Sequence, residues 1–168
     1  MSKKHLYIGR NPIHEKNGTG EGEFVRFNHE TWLKINGFDA MEPFLMTIVS
    51  SSDHYMYLAS NGGLTAGRKN PDNALFPYYT DDKIIDSSEI TGSKTVLRVT
   101  KKTHTYLWEP FSDRYAGVYH IERNLYKNKF GSKIRFEEIN HDLGVAFRYT
   151  WTFSNAYGFV KYSELENL

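Results

Sequence analysis

The run Val145-Ala-Phe-Arg-Tyr-Thr-Trp-Thr-Phe153 alternates with period two. Successive side chains of an extended strand point to opposite faces, so Phe147, Tyr149, Trp151 and Phe153 share one face and Arg148, Thr150 and Thr152 the other. A helix would scatter those rings around its circumference. Four large rings in one row gain most by burial, so the pattern predicts an antiparallel sheet with that face in the core. Shorter strand-like runs recur along the chain. Phe24–Asn28 and Thr31–Ile35 flank a polar break at Asn28-His29-Glu30 and read as a hairpin. Phe44–Ser50 is apolar enough to be expected buried on both faces. Tyr55–Ala59, Lys94–Thr100 and Thr103–Trp108 follow. Val118–Tyr126 and Lys133–Ile139 read as a hairpin with Gly131 in its turn. Asn36-Gly37 and Asn61-Gly62-Gly63 punctuate the series. No amphipathic run is long enough for a substantial helix, and no repeat has a fixed period. The expected fold is all-β, an antiparallel β-sandwich with a long irregular loop over 64–86.

A chain of 168 residues fits one domain with a real core. Its 15% aromatic content suits strands. With 21 Lys and Arg against 20 Asp and Glu, the net charge of +1 argues against nucleic acid or a membrane surface as partner. The absence of cysteine removes disulfides, thiolate nucleophiles and zinc–thiolate sites. No stretch reaches the ~18 apolar residues of a membrane helix, and the charged start leads into no apolar segment, so a cytoplasmic location is expected. Residues 1–23, polar and Gly-rich, read as a flexible arm, 24–162 as the sandwich, and 163–168 as the start of a linker to a missing downstream domain. Gly18, Gly20 and Gly22 match neither nucleotide-binding spacing, and Glu21 and Glu23 would repel phosphate.

The seven histidines show no metal-ligand spacing, so no metal or cofactor is expected. Asp53-His54 reads as a turn, with Asp53 in the Asx role. Glu137 and Glu138, adjacent in a strand, point to opposite faces; they cannot act as a pair, and at least one is expected to be solvated. The segment 64–86 concentrates groups suited to a sugar: Arg68 and Lys69 as donors, Asn70 and Asn73 as amides, Tyr78 and Tyr79 as rings with hydroxyls, Asp81 and Asp82 as acceptors. A structural loop folded over a sheet edge would have the same composition. A mutarotase-type epimerase would draw on His104, His120 and Glu122, of which His120 and Glu122 share a strand face.

The block Ser60-Asn-Gly-Gly-Leu-Thr-Ala-Gly-Arg-Lys-Asn-Pro-Asp-Asn-Ala-Leu-Phe-Pro-Tyr-Tyr-Thr-Asp-Asp-Lys-Ile84, with Leu107-Trp108-Glu109-Pro110, resembles the N-terminal region of large bacterial proteins related to cellobiose phosphorylase. In that group of glycoside phosphorylases and hydrolases, a galactose mutarotase-like β-supersandwich precedes a catalytic helical toroid that carries the general-acid Asp. The resemblance implies a noncatalytic β-domain that packs on the downstream domain, supports a homodimer and lends loop residues, Trp108 included, to a carbohydrate. The chain is short for a complete supersandwich, and no phosphate-site residue can be matched. The alternative is a stand-alone sugar- or small-ligand-binding module.

Overall fold

The computed structural model describes residues 6–16, 20–76, 80–92 and 94–168. Its strands are β1 (Leu6–Ile8), β2 (Asn11–Ile13), β3 (Gly22–Phe27), β4 (Glu30–Asn36), β5 (Leu45–Val49), β6 (His54–Ala59), β7 (Leu64–Arg68) and β8 (Asn70–Ala74). A short helix, α1 (Asp81–Asp86), precedes β9 (Leu97–Lys101), β10 (His104–Trp108), β11 (Ile121–Asn128), β12 (Ile134–Asn140), β13 (Val145–Ser154) and β14 (Gly158–Asn167). All pairings are antiparallel. A six-stranded sheet runs β14-β13-β12-β11-β4-β3 and a four-stranded sheet runs β5-β6-β7-β8; β1-β2 and β9-β10 form separate ribbons. The fold is an antiparallel β-sandwich without a closed barrel, and no helix among the described residues is long and apolar enough to cross a membrane.

The hairpins follow from local chemistry. The β3–β4 turn places Asn28 and His29 at φ 50° and 64°, the left-handed pair that a two-residue hairpin turn needs. The return from β11 to β12 uses the Asn128 side chain instead, whose Oδ1 accepts from the Ser132 and Lys133 amides. Strand β4 pairs on its other side with β11, joining the first hairpin to the C-terminal meander in one sheet.

Between the layers, Met46, Ile48, Met56, Leu58, Leu64 and Ala66 of the four-stranded sheet meet Leu125, Ile134, Phe136 and Phe38. Tyr149, Trp151 and Phe153 pack against this cluster, while Phe147 joins Trp108, Leu143 and Val145 in a second one. The aromatic row of β13 is therefore core, as its alternation predicts.

Several expectations are corrected. Strand β5 is buried on one face only, with Met46 and Ile48 inside and Leu45 and Val49 exposed, because it is the edge of a sheet that meets the other layer on one side. The described residues of the segment 64–86 do not form an irregular loop but two strands and a helix. Leu64–Arg68 is a strand whose small residues allow close approach: a Cβ on Gly67 would lie 2.2 Å from the Tyr55 hydroxyl. Asn70–Ala74 pairs with it across a bulge, and Pro71 is tolerated because β8 is an edge strand, where no interior ladder bond needs its missing N–H. Helix α1 docks through buried Ile84, and Asn61 Nδ2 donates to Ile85 O at 2.9 Å. Part of the expected N-terminal arm is the β1–β2 ribbon, tied down by the His14 amide on Gly117 O at 3.0 Å. Residues 163–167, expected as linker, complete β14 against β13.

A Cβ on Gly63 would sit 2.0 Å from Ile84 O, so backbone meets backbone at the α1 docking point. Gly63→Ala is expected to lower stability by about 1–3 kcal/mol through this overlap, read as a drop in the urea midpoint at unchanged m-value.

Candidate functional site: a cleft between the layers

Strand alternation places Arg123 and Glu138 directly opposite one another on the inward face of β11 and β12, where the neighbouring inward positions hold Leu125 and Phe136. Both are buried, with 5% and 2% exposure, so each requires a partner. Arg123 Nε donates to Glu138 Oε2 at 2.8 Å. Trp108 Nε1, at the end of β10, donates to Glu138 Oε1 at 2.8 Å, and the Phe111 amide donates to Oε2 at 2.6 Å. Arg123 then reaches outward, Nη1 to Asp113 Oδ1 at 2.9 Å and Nη2 to Ser112 O at 3.0 Å. Lys16 lies 3.6 Å from the same Asp113 oxygen. One relay of charge thus runs from the core to the surface and fixes the segment 108–113.

Burial works against the Arg123 charge, but the Glu138 carboxylate outweighs it and holds the guanidinium above its ordinary pKa. Burial likewise opposes the Asp113 charge, and the Arg123 hydrogen bond overrides it, keeping this carboxyl below its ordinary value. Phe111 adopts φ 65°, a conformation costly for a bulky side chain. Its amide bond to Glu138 and its ring contacts with Tyr149 at 5.1 Å and Phe136 at 6.1 Å hold it there.

The strained turn walls a cavity of about 150 Å³ between the layers. The rings of Phe38, Phe111, Phe136 and Tyr149 form its apolar sides, and Asp39, Asn61 and Arg123 its polar ones. Burial pushes the Tyr149 hydroxyl above its ordinary pKa, and that hydroxyl makes no hydrogen bond among the described residues. The cavity shares Lys16, Asp39, Asp113 and Arg123 with an adjoining cleft lined by Trp108, Glu109, Tyr115, Tyr119 and Glu122. Aromatic faces beside hydrogen-bonding groups of both kinds can hold a small ring that carries hydroxyls.

Of the residues singled out from sequence for a carbohydrate, Trp108 lines this cleft. Arg68, Lys69, Asn70 and Asn73 are exposed around the β7–β8 turn, outside it. There Arg68 Nε donates to Ser52 O at 3.3 Å, and Asn73 Nδ2 to Asn70 Oδ1 at 2.8 Å. Asp81 and Asp82 open α1, where Asp82 accepts from the Lys83 amide and the Thr80 hydroxyl; those two bonds, the Thr80 one first, hold its carboxyl low. Tyr78 and Tyr79 lie outside the described residues. The structure therefore does not gather the described members of that set into one site, because β8 and α1 are separate elements. Ser60, Asn61 and Gly62 at the head of the same block do line the cavity.

Glu137 and Glu138 do face opposite ways, but both are buried and each is bonded to an arginine, so neither is simply solvated. His104, His120 and Glu122 do not converge. His104, at the start of β10, contacts Thr103 and Tyr106, whereas the His120 ring stacks on His14 and lies tilted against His141, whose Nε2 is 3.7 Å from Glu122. Among the described residues, no group of three His, Asp or Glu side chains could hold a metal ion. Sequence reasoning missed Arg123, Glu138, Asp113, Phe111 and Tyr149 as site residues. The available signal was a charged residue at an inward position of two facing strands.

No protein-family model matches the chain, and no match is found among curated proteins.

Glu138→Gln removes the buried one of the two carboxylates that face Arg123, leaving the half-exposed Asp113 as its only counter-charge among the described residues, and is expected to cost about 3 kcal/mol, read from urea unfolding. Because the folded Asp113 pKa is depressed, its contribution is fully present above about pH 4 and lost as pH falls through the lower folded value. Asp113→Asn should reduce the acid-side slope of stability against pH, measured by urea midpoints across pH 2–6, a range of roughly two units either side of the ordinary Asp pKa.

Proposed function

We propose that this chain is a noncatalytic carbohydrate-binding β-domain, the N-terminal β-domain of a larger cytoplasmic glycoside phosphorylase or hydrolase, which supports the catalytic domain and lends the interlayer cleft to sugar recognition. The observation that carries this reading is the ring-walled cavity of about 150 Å³ with its polar mouth. A pyranose has an apolar face and a hydroxyl edge. Phe111 and Tyr149 suit the face; Asn61, Asp39 and the Tyr149 hydroxyl suit the edge. The sequence block that resembles cellobiose phosphorylase-related proteins begins at Ser60-Asn61-Gly62, and these residues line the cavity. The noncatalytic part of the reading is supported by the two carboxylates bonded to Arg123. Glu138 is fully engaged by Trp108, Phe111 and Arg123, and Asp113 is held ionised against Arg123, so neither is placed to give a proton to a leaving group.

Titration of the 168-residue chain with glucose, galactose, mannose and cellobiose, followed by amide NMR and calorimetry, tests the proposal. Saturable shifts at Asn61, Phe111 and Tyr149 are expected for at least one sugar. Tyr149→Phe should weaken that binding by about 2–10-fold, the value of one neutral hydrogen bond, with the urea midpoint near wild type. No turnover of aryl glycosides, or of disaccharide plus phosphate, is expected from the chain alone. Clean turnover, or an absence of sugar-dependent shifts at the cavity, would remove the proposal.

A further inference from the structure

We propose that the outer face of the six-stranded sheet is a second binding surface, built for an uncharged oligosaccharide chain. The alternation that sends Arg123 and Glu138 inward sends Asn124 and Glu137 to the other side of the same strands. Two registered rows cross the sheet there. One runs Glu164, Arg148, Glu137, Asn124, Asn36; the other runs Tyr162, Thr150, Arg135, Tyr126, Lys34, Glu23. They border an open groove with a cavity volume of about 500 Å³, floored by Phe27, Tyr126 and Glu137 and flanked by Lys34, Arg135 and Arg148. That volume lies within the ~300–1,000 Å³ of small-molecule sites. Five interstrand spacings carry the longer row roughly 24 Å across the sheet, a length suited to a chain rather than a single ring.

The hydrogen bonding of this face is incomplete in one specific respect. Trp32 Nε1, Asn124 Oδ1 and Thr150 Oγ1 are buried and make no hydrogen bond to the protein; the one other such atom among the described residues, Asn140 Nδ2, is on the inward side. Each such group costs about 1–3 kcal/mol when left unmade, and native structures keep few of them. All three residues are on the outer side of the sheet and are buried there, and none of them is among the residues that line the groove. Around them the network is otherwise fully made. Glu137 accepts from Tyr126 Oη at 2.7 Å, from Asn124 Nδ2 at 3.0 Å and from Arg148 Nε. Burial alone would raise the Glu137 carboxyl, and these bonds, Arg148 first, bring it below its ordinary value.

The charge pattern selects the ligand. Arg148 is bound by Glu137 and Glu166, Arg135 by Glu164, and Lys34 faces Glu23 at 3.8 Å. Every cation flanking the groove already has its carboxylate, so a uronate or sulfated chain would have to displace one, and a cationic ligand would have to displace a guanidinium or ammonium. A hydroxyl donates to a carboxylate and accepts from a guanidinium without breaking either pair. The rings of Phe27 and Tyr126 add apolar area to the groove; Phe27 stacks on Trp32 at 5.0 Å, Tyr126 is buried, and Arg135 and Lys34 lie over the two rings at 5.7 and 5.8 Å from their respective centres. Apolar side pockets of the kind a peptide would fill are lacking among the residues that line it, where Val25 is the one aliphatic side chain.

The ligand class is that of the cleft, but the two sites use opposite faces of the sheet, so they succeed or fail separately. Cellopentaose and maltopentaose are titrated into the full chain by calorimetry and amide NMR, with pentagalacturonate as the charged control and glucose as the single unit. A neutral pentasaccharide is expected to bind saturably and shift the amides of Asn124, Tyr126, Arg135 and Arg148, with glucose at least about tenfold weaker at these positions. Arg135→Ala should weaken the chain ligand by about tenfold, the value of a hydrogen bond to a charged group. If that variant does not fold, Lys34→Met, which retains the apolar stem, makes the same test. Tyr149→Phe should leave this binding unchanged. The proposal is overturned if neither neutral pentasaccharide shifts these amides, if shifts are confined to Asn61, Phe111 and Tyr149, or if pentagalacturonate binds as tightly as the neutral chains.

Discussion

Arg123 and Glu138 face each other across β11 and β12 inside the sandwich, and much else depends on this pair. An arginine in a core needs a carboxylate, and a buried carboxylate needs donors on both of its oxygens. Glu138 meets that demand by recruiting Trp108 and the Phe111 amide, Arg123 by recruiting Asp113 and Ser112 O. The turn after β10 is thereby drawn onto the sheet and held with Phe111 in a left-handed conformation. Without that turn the space beside Tyr149 would have no roof, and the two layers would meet at this end through apolar contacts alone.

How far the chain was legible from its residues differs by element. The β3–β4 and β11–β12 hairpins and β13 are encoded locally, in alternation and in turn residues, and the sequence predicts them. Strand β7 is not encoded that way. Leu64-Thr-Ala-Gly67 has weak strand preference, and its extended form comes from the Tyr55 ring lying over Gly67. Asn70-Pro-Asp-Asn73 carries a turn composition yet sits on a sheet edge, where proline is harmless. The site was harder still. Arg123 and Glu138 are 15 residues apart, and only strand register brings them together. Trp108 was visible as a large ring at a strand end; its role as a donor to a buried carboxylate was not.

The six-stranded sheet is unusual in carrying polar networks on both faces. Its inward side is apolar towards β5–β7 and ionic only at the end where the layers part. Its outward side is ionic nearly throughout, with Glu137, Arg148 and Glu166 in one chain of bonds. Glu122 accepts from Asn124 Nδ2 at 2.8 Å, lines the cleft, and so touches both systems. Peptide units of β11 and β12 are the shared wall, which ties the geometry of one face to that of the other.

The pairing of β4 with β11 has a consequence for how the chain acquires its structure. A hairpin made near the N-terminus occupies a sheet position whose neighbour is translated only after all of the four-stranded sheet has emerged. Long-separation pairings of this kind are formed late and slowly, since loop-closure entropy is opposed before contacts compensate it. During synthesis the β3–β4 hairpin therefore waits with an open edge, and the nascent polypeptide remains exposed to mispairing until residues 121–128 leave the ribosome.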